Sequence, residues 1–417
     1  MKQIIIEGGQ ILSGEIKISG AKNSAVALIP ASILCDEKVT IDNIPSISDI
    51  QALKEILNHL GASINEEDAT MTIDPTVITN KEIPEEISSK LRASYYFMSA
   101  LLGKYKHVEM YFPGGCSIGA RPIDQTLKGF RALGAKVEEQ GNKYIIDADE
   151  LVGNNVYLDM PSVGATINTI LVAVKAKGVT IIDNAAKEPE IVNIVTFLNN
   201  MGAKITGAGT SQIRIKGVDY LHKAFIEVIP DRIEAGTYII AGALMGDKLK
   251  INNIIPEHIE TLILKLQEMG VSIEVGEDYA IVSKTDDLKA VSVKTLGYPG
   301  FPTDLQQPLT TLLVFCKGIS KLEETIYENR FQNVEYLNQM GANIKINGSK
   351  IKIYGPTTLL GKSVHATDLR AGACLVLAGL AAIGQTTITN VEHVLRGYEN
   401  IIEKLSNVGA KIKLKEI

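Results

Sequence analysis

A six-residue signature recurs six times along this chain of 417 residues, as HLGASI, ALGAKV, NMGAKI, EMGVSI, QMGANI and NVGAKI. Successive copies lie 73, 68, 68, 71 and 68 residues apart, measured between their central glycines. A nearly fixed period indicates one supersecondary unit copied along the chain. The six glycines are Gly61, Gly134, Gly202, Gly270, Gly341 and Gly409.

Each signature joins a helical pattern to an alternating one. The stretch IVNIVTFLNN before Gly202 has apolar residues at helical spacing, and KITGAGTSQIRIKG after it alternates as a pair of strands. Glycine at such a junction fits the left-handed position that ends a helix. A second helix, apolar on nearly every side, lies upstream of each glycine and leads into a β-rich segment. The copies of this helix are AKNSAVALIPASIL, LRASYYFMSALL, SVGATINTILVAV, DRIEAGTYIIAGALM, TDLQQPLTTLLVFC and LRAGACLVLAGLAA.

The predicted fold class is therefore α/β, built from units of helix, strand, amphipathic helix and two strands. Six units at three per globule predict two domains of ordinary size. The first is expected to span residues 20–229, and the second residues 230–417 together with 1–19. The strand KQIIIEGG at the N-terminus is expected to complete the sixth unit in the second domain. The chain would then cross twice between the domains and leave a cleft.

Composition excludes several function classes. With 42 basic and 48 acidic residues the net charge is −6, which argues against nonspecific nucleic-acid binding. The start MKQIIIEGGQ has no long apolar core, and no stretch has the length of a transmembrane helix, so a cytoplasmic protein without membrane association is expected. Ala21 separates Gly20 from Lys22 and so breaks the phosphate-loop spacing, and GGCSIG is not a dinucleotide fingerprint. ATP or NAD use has no support.

One of the four cysteines differs from the rest. Cys35, Cys316 and Cys374 lie in apolar helical patterns and are predicted to be small buried hydrophobes. Cys116 lies instead in YFPGGCSIGARPID, where the flanking glycines leave few side chains to bury a thiol. No cysteine pair or histidine has zinc-site spacing. Cys116 is therefore predicted to be a reactive group.

Arginines mark a second pattern. The chain has 34 lysines but eight arginines, and six of these lie at or beside predicted helix starts. A cation there opposes the helix dipole, whereas a bound anion would reconcile the two. The alternative is pairing with acids such as Asp304, Asp368 or Glu328. The six arginines are Arg92, Arg121, Arg232, Arg330, Arg370 and Arg396.

Further polar residues extend this pattern. Lys22 and Asn23 occupy the corresponding place in the first unit, and Asp231 and Asp304 are possible proton acceptors at helix starts. The acids that begin the second helices are explained equally well as partners of the helix dipole. These acids are Asp124, Glu188, Glu257 and Glu328. Together the patterns predict a cationic cleft for a substrate with several anionic groups.

The chain as a whole resembles the UDP-N-acetylglucosamine 1-carboxyvinyltransferase (enolpyruvyl transferase) family. The motifs that carry the resemblance are SGAKNSA, LRAS, PGGCSIGARPID, SVGAT, EPEI, IPDRIEAGTY, FPTDLQQP, ENRF, DLRAGA and RGYE, in order from residue 19 to 399. The resemblance implies two inside-out α/β barrels with the active site in the interdomain cleft. It also implies transfer of the enolpyruvyl group of phosphoenolpyruvate to the 3′-hydroxyl of UDP-N-acetylglucosamine, with release of phosphate and no metal or organic cofactor. This is the first committed step of peptidoglycan synthesis.

The resemblance assigns the catalytic and phosphoenolpyruvate-binding roles. Cys116 corresponds to the general acid that can also form a covalent adduct, and Asp304 to the proposed general base. Which of its two roles dominates stays open, since Arg121 nearby would favour the thiolate. The phosphate and carboxylate of phosphoenolpyruvate are expected to bind a set of six residues. Two of these, Lys22 and Arg396, are also assigned a catalytic role. That set is Lys22, Asn23, Arg121, Arg330, Arg370 and Arg396.

The nucleotide-sugar site is implied in the same way. Its residues are Asn23, Arg92, Arg121, Pro122, Ile123, Asp124, Gln125, Ser162, Val163, Gly164, Asp304 and Ile326. The acidic residues that support the cleft are Glu188, Asp231 and Asp368. Met160 stands where some relatives have a lysine that contacts the nucleotide phosphates, so other groups are expected to hold the diphosphate here. The loop around Cys116 is expected to close when the nucleotide sugar binds.

Two other functions remain as alternatives. One is a transferase like 5-enolpyruvylshikimate-3-phosphate synthase, which shares the fold and phosphoenolpyruvate chemistry but lacks the cysteine-containing loop. The other is a non-catalytic paralogue that binds nucleotide sugar. An RNA-end-processing relative of similar architecture fits the acidic charge less well. A monomer or weak oligomer is expected.

Overall fold

A computed structural model describes residues 2–114 and 123–416. Short strands alternate with helices along the whole of this chain. The helices are α1 (Lys22–Ala31), α2 (Ser48–Leu60), α3 (Glu85–Ser88), α4 (Tyr95–Tyr105), α5 (Asp124–Ala132), α6 (Val163–Ala173), α7 (Pro189–Asn200), α8 (Arg232–Met245), α9 (Glu260–Met269), α10 (Gln306–Leu313), α11 (Asn333–Gln339), α12 (Leu369–Ala381), α13 (Glu392–Leu395) and α14 (Ile401–Asn407).

The strands form small sheets rather than one large sheet. They are β1 (Lys2–Glu7), β2 (Glu15–Lys17), β3 (Val39–Asp42), β4 (Ser63–Glu67), β5 (Thr70–Asp74), β6 (His107–Tyr111), β7 (Lys136–Gln140), β8 (Lys143–Asp147), β9 (Asn155–Tyr157), β10 (Val179–Asp183), β11 (Lys204–Thr206), β12 (Gln212–Lys216), β13 (Phe225–Glu227), β14 (Leu249–Asn252), β15 (Ser272–Val275), β16 (Tyr279–Ser283), β17 (Ser292–Lys294), β18 (Gly318–Glu323), β19 (Ile344–Asn347), β20 (Lys350–Gly355), β21 (Ser363–His365), β22 (Gln385–Thr389) and β23 (Lys411–Glu416). Among the described residues they make six sheets, with the strand orders β13-β3-β5-β4, β6-β8-β7, β11-β12-β10-β9, β15-β16-β14-β2, β17-β18-β20-β19 and β21-β22-β1-β23.

The first repeat shows why the sequence adopts this unit. Residues 24–31 of α1 are all buried, as expected of a helix that is apolar on nearly every side. β3 alternates buried and half-buried residues, and α2 buries one face that includes Leu53, Ile56 and Leu57. Gly61 then ends α2 with φ of 91°, and β4 and β5 follow as an antiparallel pair. The predicted order of elements is confirmed in this repeat.

All six signature glycines have positive φ, between 88° and 113°. At Gly61 the amide N–H donates to the carbonyl of Asn58, and the next amide donates to that of Leu57. Only a residue in the left-handed region allows the chain to close a helix in this way and turn into a strand. The prediction of a glycine stop at each signature is confirmed.

Among the described residues, five of the six sheets contain a short edge strand that the sequence pattern does not predict. β2, β9, β13, β17 and β21 are three-residue strands that pair in parallel with β14, β10, β3, β18 and β22. The sheet of β6 has three strands, and an isolated parallel bridge between Ile83 and Met110 lies at the corresponding edge. Three residues are too few to give a recognisable alternation in the sequence.

The N-terminal strand β1 lies between β22 and β23. It is antiparallel to both, and Ile4 lies opposite Ile388 on one side and Leu414 on the other. The prediction that KQIIIEGG completes the last repeat is confirmed. The beginning of the chain therefore completes the sixth sheet. The backbone N–H and C=O groups of β1 find hydrogen-bond partners on both neighbouring strands in place of water.

The described residues divide into two compact units, 2–19 with 230–416 and 20–114 with 123–229. Each unit contains three of the sheets and its own apolar core. Fully buried side chains such as Phe97 and Phe130 in one core and Tyr238 and Ile4 in the other fill the space between helices and sheets. Among these residues, no helix combines the length and apolar character needed to cross a bilayer.

Candidate active site

Asp304 lies between two arginines in the unit of residues 2–19 and 230–416. Its Oδ1 is 2.7 Å from Nη2 of Arg330, and its Oδ2 is 3.0 Å from Nη2 of Arg370. Both arginine side chains are 4% exposed, whereas the aspartate side chain is 24% exposed. The alternative that helix-start arginines pair with an acid is therefore confirmed for these two. The arrangement places two cations behind one carboxylate that reaches solvent.

Neighbouring groups fix the two guanidinium groups. The guanidinium of Arg370 lies over the ring of Tyr398 at 5.4 Å, and that of Arg330 over the ring of Tyr327 at 5.1 Å. Such cation–π contacts favour a defined position for a buried guanidinium. Gln307 on α10 donates from Nε2 to the backbone carbonyl of Arg330 at 3.0 Å. The two cations are thus held before any substrate binds.

The pKa of Asp304 reflects a competition. Burial alone would raise the pKa, but the positive charges of Arg370 and Arg330 and their hydrogen bonds hold it well below its ordinary range. Asp304 is therefore ionised over the whole working range of pH. While both pairs persist it is a weak base, and it gains basicity when another anion takes up the guanidinium groups.

Two other acids of this unit have structural roles. Asp231 caps α8 by accepting from the amides of Ile233 and Glu234 at 2.8 and 3.0 Å. Asp368 caps α12 in the same way. Asp368 also accepts from Nε2 of Gln307 at 3.3 Å, which links the starts of α10 and α12. Asp368 therefore orients the helix that carries Arg370, and Asp231 orients the helix that begins with Arg232.

Lys22, at the start of α1, belongs to the unit of residues 20–114 and 123–229. Its Nζ lies 2.7 Å from Oδ2 of Asp49, in the first turn of α2, and both side chains are largely buried. The sequence pattern does not single out Asp49, because an acid in the first turn of a helix is common for reasons of the helix dipole alone. The ion pair holds the ammonium group and directs it.

Several predicted nucleotide-sugar residues come together in this second unit. The guanidinium of Arg92 lies 5.7 Å from the ring centre of Tyr95, and a Cβ on Gly164 would lie 1.8 Å from the hydroxyl of that tyrosine. Gly164 therefore has to be glycine where α6 approaches the Arg92 segment. Ser162 caps α6 by accepting from the amide of Ala165 at 3.2 Å.

Gln125 connects the start of α5 to the segment that precedes α6. Its Oε1 accepts from the amide of Asp159 at 2.9 Å, and its Nε2 donates to the carboxylate of the same residue at 3.0 Å. Met160 follows and is 62% exposed. Ile123 is buried, Asp124 is exposed, and Asn23 and Val163 are partly buried. Glu188 stands at the N-terminus of α7.

The predicted position of Arg396 is wrong, and three other predicted site residues lie outside the described part of the chain. Arg396 does not lie at a helix start, because the segment before it forms the four-residue helix α13 and Arg396 follows its last residue. A cation there agrees with the helix dipole instead of opposing it. Cys116, Arg121 and Pro122 lie outside the described residues. Ile326 is 41% exposed in the loop after β18.

Two buried glutamates, Glu234 and Glu324, are likewise not singled out by the sequence pattern. Glu234 on α8 accepts from Nζ of Lys404 at 2.6 Å and from the amide of Ser19 at 2.8 Å. Burial raises the pKa of Glu234 to about 7. Glu324 follows β18 and receives several hydrogen bonds. Glu234 lies inside the motif IPDRIEAGTY, where an acid in the first turn of a helix has an ordinary explanation, and Glu324 lies in none of the quoted motifs.

Within residues 2–114 and 123–416, no group of three or more His, Cys, Asp or Glu side chains is arranged to hold a metal ion. The other three cysteines, Cys35, Cys316 and Cys374, are fully buried, as predicted. In each unit, the candidate residues described above are cations paired with carboxylates. This composition is suited to binding anions and to moving protons.

Comparison with known proteins identifies the family. Residues 6–405 match the family model for EPSP synthase (3-phosphoshikimate 1-carboxyvinyltransferase). The chain is 54% identical over 412 residues to UDP-N-acetylglucosamine 1-carboxyvinyltransferase 2 of Geobacillus kaustophilus, covering 99% of this chain and 96% of that protein. It is 53% identical over 413 residues to the protein of the same name from Bacillus subtilis, with the same two coverages.

Solved structures agree with these relatives. The enolpyruvyl transferase NikO from Streptomyces tendae is 28% identical and superimposes with a TM-score of 0.91 over 99% of each chain. EPSP synthase from Acinetobacter baumannii is 18% identical with a TM-score of 0.78, which shows a shared mixed α/β fold. The chain belongs to the UDP-N-acetylglucosamine 1-carboxyvinyltransferase family of enolpyruvyl transferases.

Proposed function

We propose that this protein transfers the enolpyruvyl group of phosphoenolpyruvate to the 3′-hydroxyl of UDP-N-acetylglucosamine and releases phosphate, the first committed step of peptidoglycan synthesis. The observation that carries the proposal is the buried pair of guanidinium groups on Arg330 and Arg370, held on either side of Asp304. An anionic substrate needs fixed cations, and a hydroxyl nucleophile needs a carboxylate beside them. Relatives that share half of the sequence bear the name of this activity.

Phosphoenolpyruvate supplies the anionic groups. Its carboxylate is proposed to bind Arg330 and Arg370, and its phosphate Lys22, Arg121 and Arg396, with Asn23 beside them. The carboxylate then competes with Asp304 for the two guanidinium groups. As the pairs loosen, the pKa of Asp304 rises toward its ordinary range and the carboxylate becomes a better base.

The addition step joins the two substrates. Asp304 removes the proton of the 3′-hydroxyl, whose oxygen forms a bond to C2 of phosphoenolpyruvate while C3 gains a proton from the thiol of Cys116. The product of this step is a tetrahedral adduct that still carries the phosphate. In the elimination step C3 gives a proton back to the thiolate of Cys116, the double bond re-forms, and the bond between C2 and the phosphate oxygen breaks. The cations stabilise the departing phosphate.

The nucleotide sugar is proposed to bind residues that lie mainly around α5 and α6. Two observations support this: Gly164 packs against Tyr95, over whose ring Arg92 lies, and Ser162 caps α6. Asp124, Gln125 and the other predicted residues would complete the site together with Ile326. Met160 offers no charge to the diphosphate, so Arg92 and Arg121 are proposed to hold it.

Phosphate release tests the proposal. The protein is supplied with phosphoenolpyruvate and either UDP-N-acetylglucosamine or shikimate 3-phosphate, without added metal. Release with the nucleotide sugar alone is expected. The matching family model carries the description EPSP synthase, the enzyme that acts on shikimate 3-phosphate. Release with shikimate 3-phosphate alone would therefore favour EPSP synthase activity. Folded protein that releases no phosphate with either acceptor would favour a nucleotide-sugar-binding paralogue.

Three further features stay proposals on the same basis. The fold in its finer description is two inside-out α/β barrels of three repeats, with the active site in the cleft between domains 20–229 and 230–417 plus 1–19. Supporting this, each compact unit has three sheets of similar strand order. The protein is proposed to act in the cytoplasm, as a monomer or weak oligomer. Light scattering of the purified protein measures the last point.

A further inference from the structure

Glu324 lies where the chain leaves β18, and its side chain is almost completely buried, with 2% exposure. Its Oε1 accepts hydrogen bonds from Oγ1 of Thr295 at 2.9 Å and from the backbone amides of Ile326 and Tyr327 at 2.8 and 3.3 Å. Its Oε2 accepts from Oγ1 of Thr303 at 2.8 Å. Four donors thus converge on one buried carboxylate.

The direction of these hydrogen bonds is fixed by chemistry. Backbone N–H groups can only donate hydrogen bonds, and the guanidinium of Arg330 likewise donates and cannot accept. Nη1 of Arg330 donates to Oγ1 of Thr303 at 3.0 Å. The hydroxyl of Thr303 therefore has its own proton available for Glu324, and the carboxylate orients the hydroxyl that holds Arg330.

The two ends of this network reach different parts of the site. At one end is the guanidinium of Arg330, which also pairs with Asp304 at 2.7 Å. At the other end is the backbone of Ile326, whose side chain is 41% exposed. Because that side chain is not buried, packing alone does not fix this part of the loop. The hydrogen bonds from its backbone to Glu324 hold this part of the loop in position.

We propose that Glu324 is a positioning residue for the transfer reaction, which sets Arg330 for phosphoenolpyruvate through Thr303 and sets the loop of Ile326 for the nucleotide sugar through its backbone. This inference rests on the proposed function, which places Arg330 and Ile326 with the two substrates. Glu324 touches neither substrate.

Three variants separate the two ends of the network. In Thr303→Val the shape is kept and the hydroxyl relay is lost. In Glu324→Gln the amide oxygen can still accept from the backbone N–H groups, but its NH₂ group meets a hydroxyl that already receives a bond from Arg330. Both variants are expected to raise KM for phosphoenolpyruvate about tenfold, the effect of one hydrogen bond to a charged group, and to change KM for UDP-N-acetylglucosamine less than about twofold. Glu324→Ala frees both ends and is expected to raise both KM values.

Glu323 supplies a matched control. It is the preceding residue, carries the same charge and pairs with Lys294 and Lys350 at the surface. Glu323→Gln is expected to leave both KM values unchanged. Thermal unfolding of every variant shows which proteins are folded at the assay temperature, and kinetic constants are compared among those.

The proposal fails if the folded Glu324→Gln and Thr303→Val proteins keep the wild-type KM for phosphoenolpyruvate. It also fails if Glu324→Ala lowers kcat alone and leaves both KM values as they were. Should Glu324→Ala not fold, the Thr303→Val result decides the relay by itself. Wild-type protein without transferase activity would instead contradict the proposed function, so the two failures are distinct.

Discussion

Oδ2 of Asp304 lies 3.0 Å from Nη2 of Arg370, and the same carboxylate pairs with Arg330 through its other oxygen. The aspartate thus occupies the position in which an anionic substrate would meet the two guanidinium groups. Asp304→Asn leaves both cations without their partner. Turnover is expected to fall by about 10²–10⁴-fold through loss of the base, and stability by about 3 kcal/mol because a buried pair is broken.

Phosphoenolpyruvate distinguishes this pair from an ordinary structural one. Added without nucleotide sugar, it is expected to raise the melting temperature of Asp304→Asn more than that of the wild type, because it no longer competes with a carboxylate. Sodium chloride at equal ionic strength and the exposed variant Asp286→Asn are the controls. Equal shifts in wild type and Asp304→Asn would contradict the competition.

The ion pair between Lys22 and Asp49 leads to a second prediction. Asp49→Asn removes the charge that holds the ammonium group, so KM for phosphoenolpyruvate is expected to rise about tenfold while KM for UDP-N-acetylglucosamine changes little. Steady-state kinetics with each substrate varied in turn measure both values. Glu55→Gln, at an exposed position of α2, should behave as the wild type. An unchanged KM for phosphoenolpyruvate would mean that Asp49 is not needed to place Lys22.

The repeat made much of the fold predictable. A period of about 70 residues with a glycine at each helix end required the same local geometry six times, and Gly61 and its five counterparts have it. The three-residue strands β2, β9, β13, β17 and β21 could not be predicted, because their pairing depends on a neighbour far along the chain. Sequence shows local periodicity, whereas sheet edges depend on tertiary contacts.

The site was predictable in its residue types but only partly in its pairings. Helix-start arginines favoured either an anion site or pairing with an acid such as Asp304, and two of them do pair with Asp304. Sequence did not show that Asp49 pairs with Lys22 or that Glu324 reaches Arg330 through Thr303. A single acid in the first turn of a helix or after a strand has many ordinary explanations. The error at Arg396 has a similar cause, because a four-residue helix leaves no periodicity to detect.

Cysteine reactivity gives a third prediction. Burial raises the pKa of Cys35, that of Cys316 to about 12 and that of Cys374 to about 11, so these thiols form little thiolate near neutral pH. Cys116 is therefore expected to be alkylated first, by iodoacetamide and by the epoxide fosfomycin. Peptide mapping after brief treatment identifies the modified residue, and another cysteine modified first would contradict the assignment.

Replacement of Cys116 refines that test. Cys116→Asp keeps a group that can donate a proton and removes the thiol, so turnover without alkylation is expected. Complete loss of turnover in the folded variant would favour an obligatory covalent role for the thiol. Cys35→Ser, with its hydroxyl in place of the thiol, serves as the control for loss of a cysteine elsewhere.

Met160 gives a fourth prediction. Its exposed side chain follows Asp159, which Gln125 and Lys128 hold. Met160→Lys would add a cation near the proposed diphosphate site, and KM for UDP-N-acetylglucosamine is expected to fall about threefold, as for an exposed ion pair of modest strength. The gain should shrink as salt is added. Met160→Gln, polar but uncharged, should show no gain, and an equal gain there would exclude an electrostatic cause.

The buried pair of Glu234 and Lys404 gives a pH dependence of stability. Burial raises the pKa of Glu234 from its ordinary 4.5 to about 7, even though Lys404 opposes this. The folded state therefore binds the proton more tightly than the unfolded state between these two values, and this contribution to stability decreases as pH rises through that window. Glu234→Gln cannot titrate, so the stability of the wild type relative to this variant is expected to fall by about 3 kcal/mol from pH 4.5 to pH 7. Chemical unfolding of both proteins across this range measures the difference. Glu403→Gln, an exposed neighbour of Lys404, should keep the wild-type slope. A constant difference between wild type and Glu234→Gln would show that folding does not raise the pKa of Glu234.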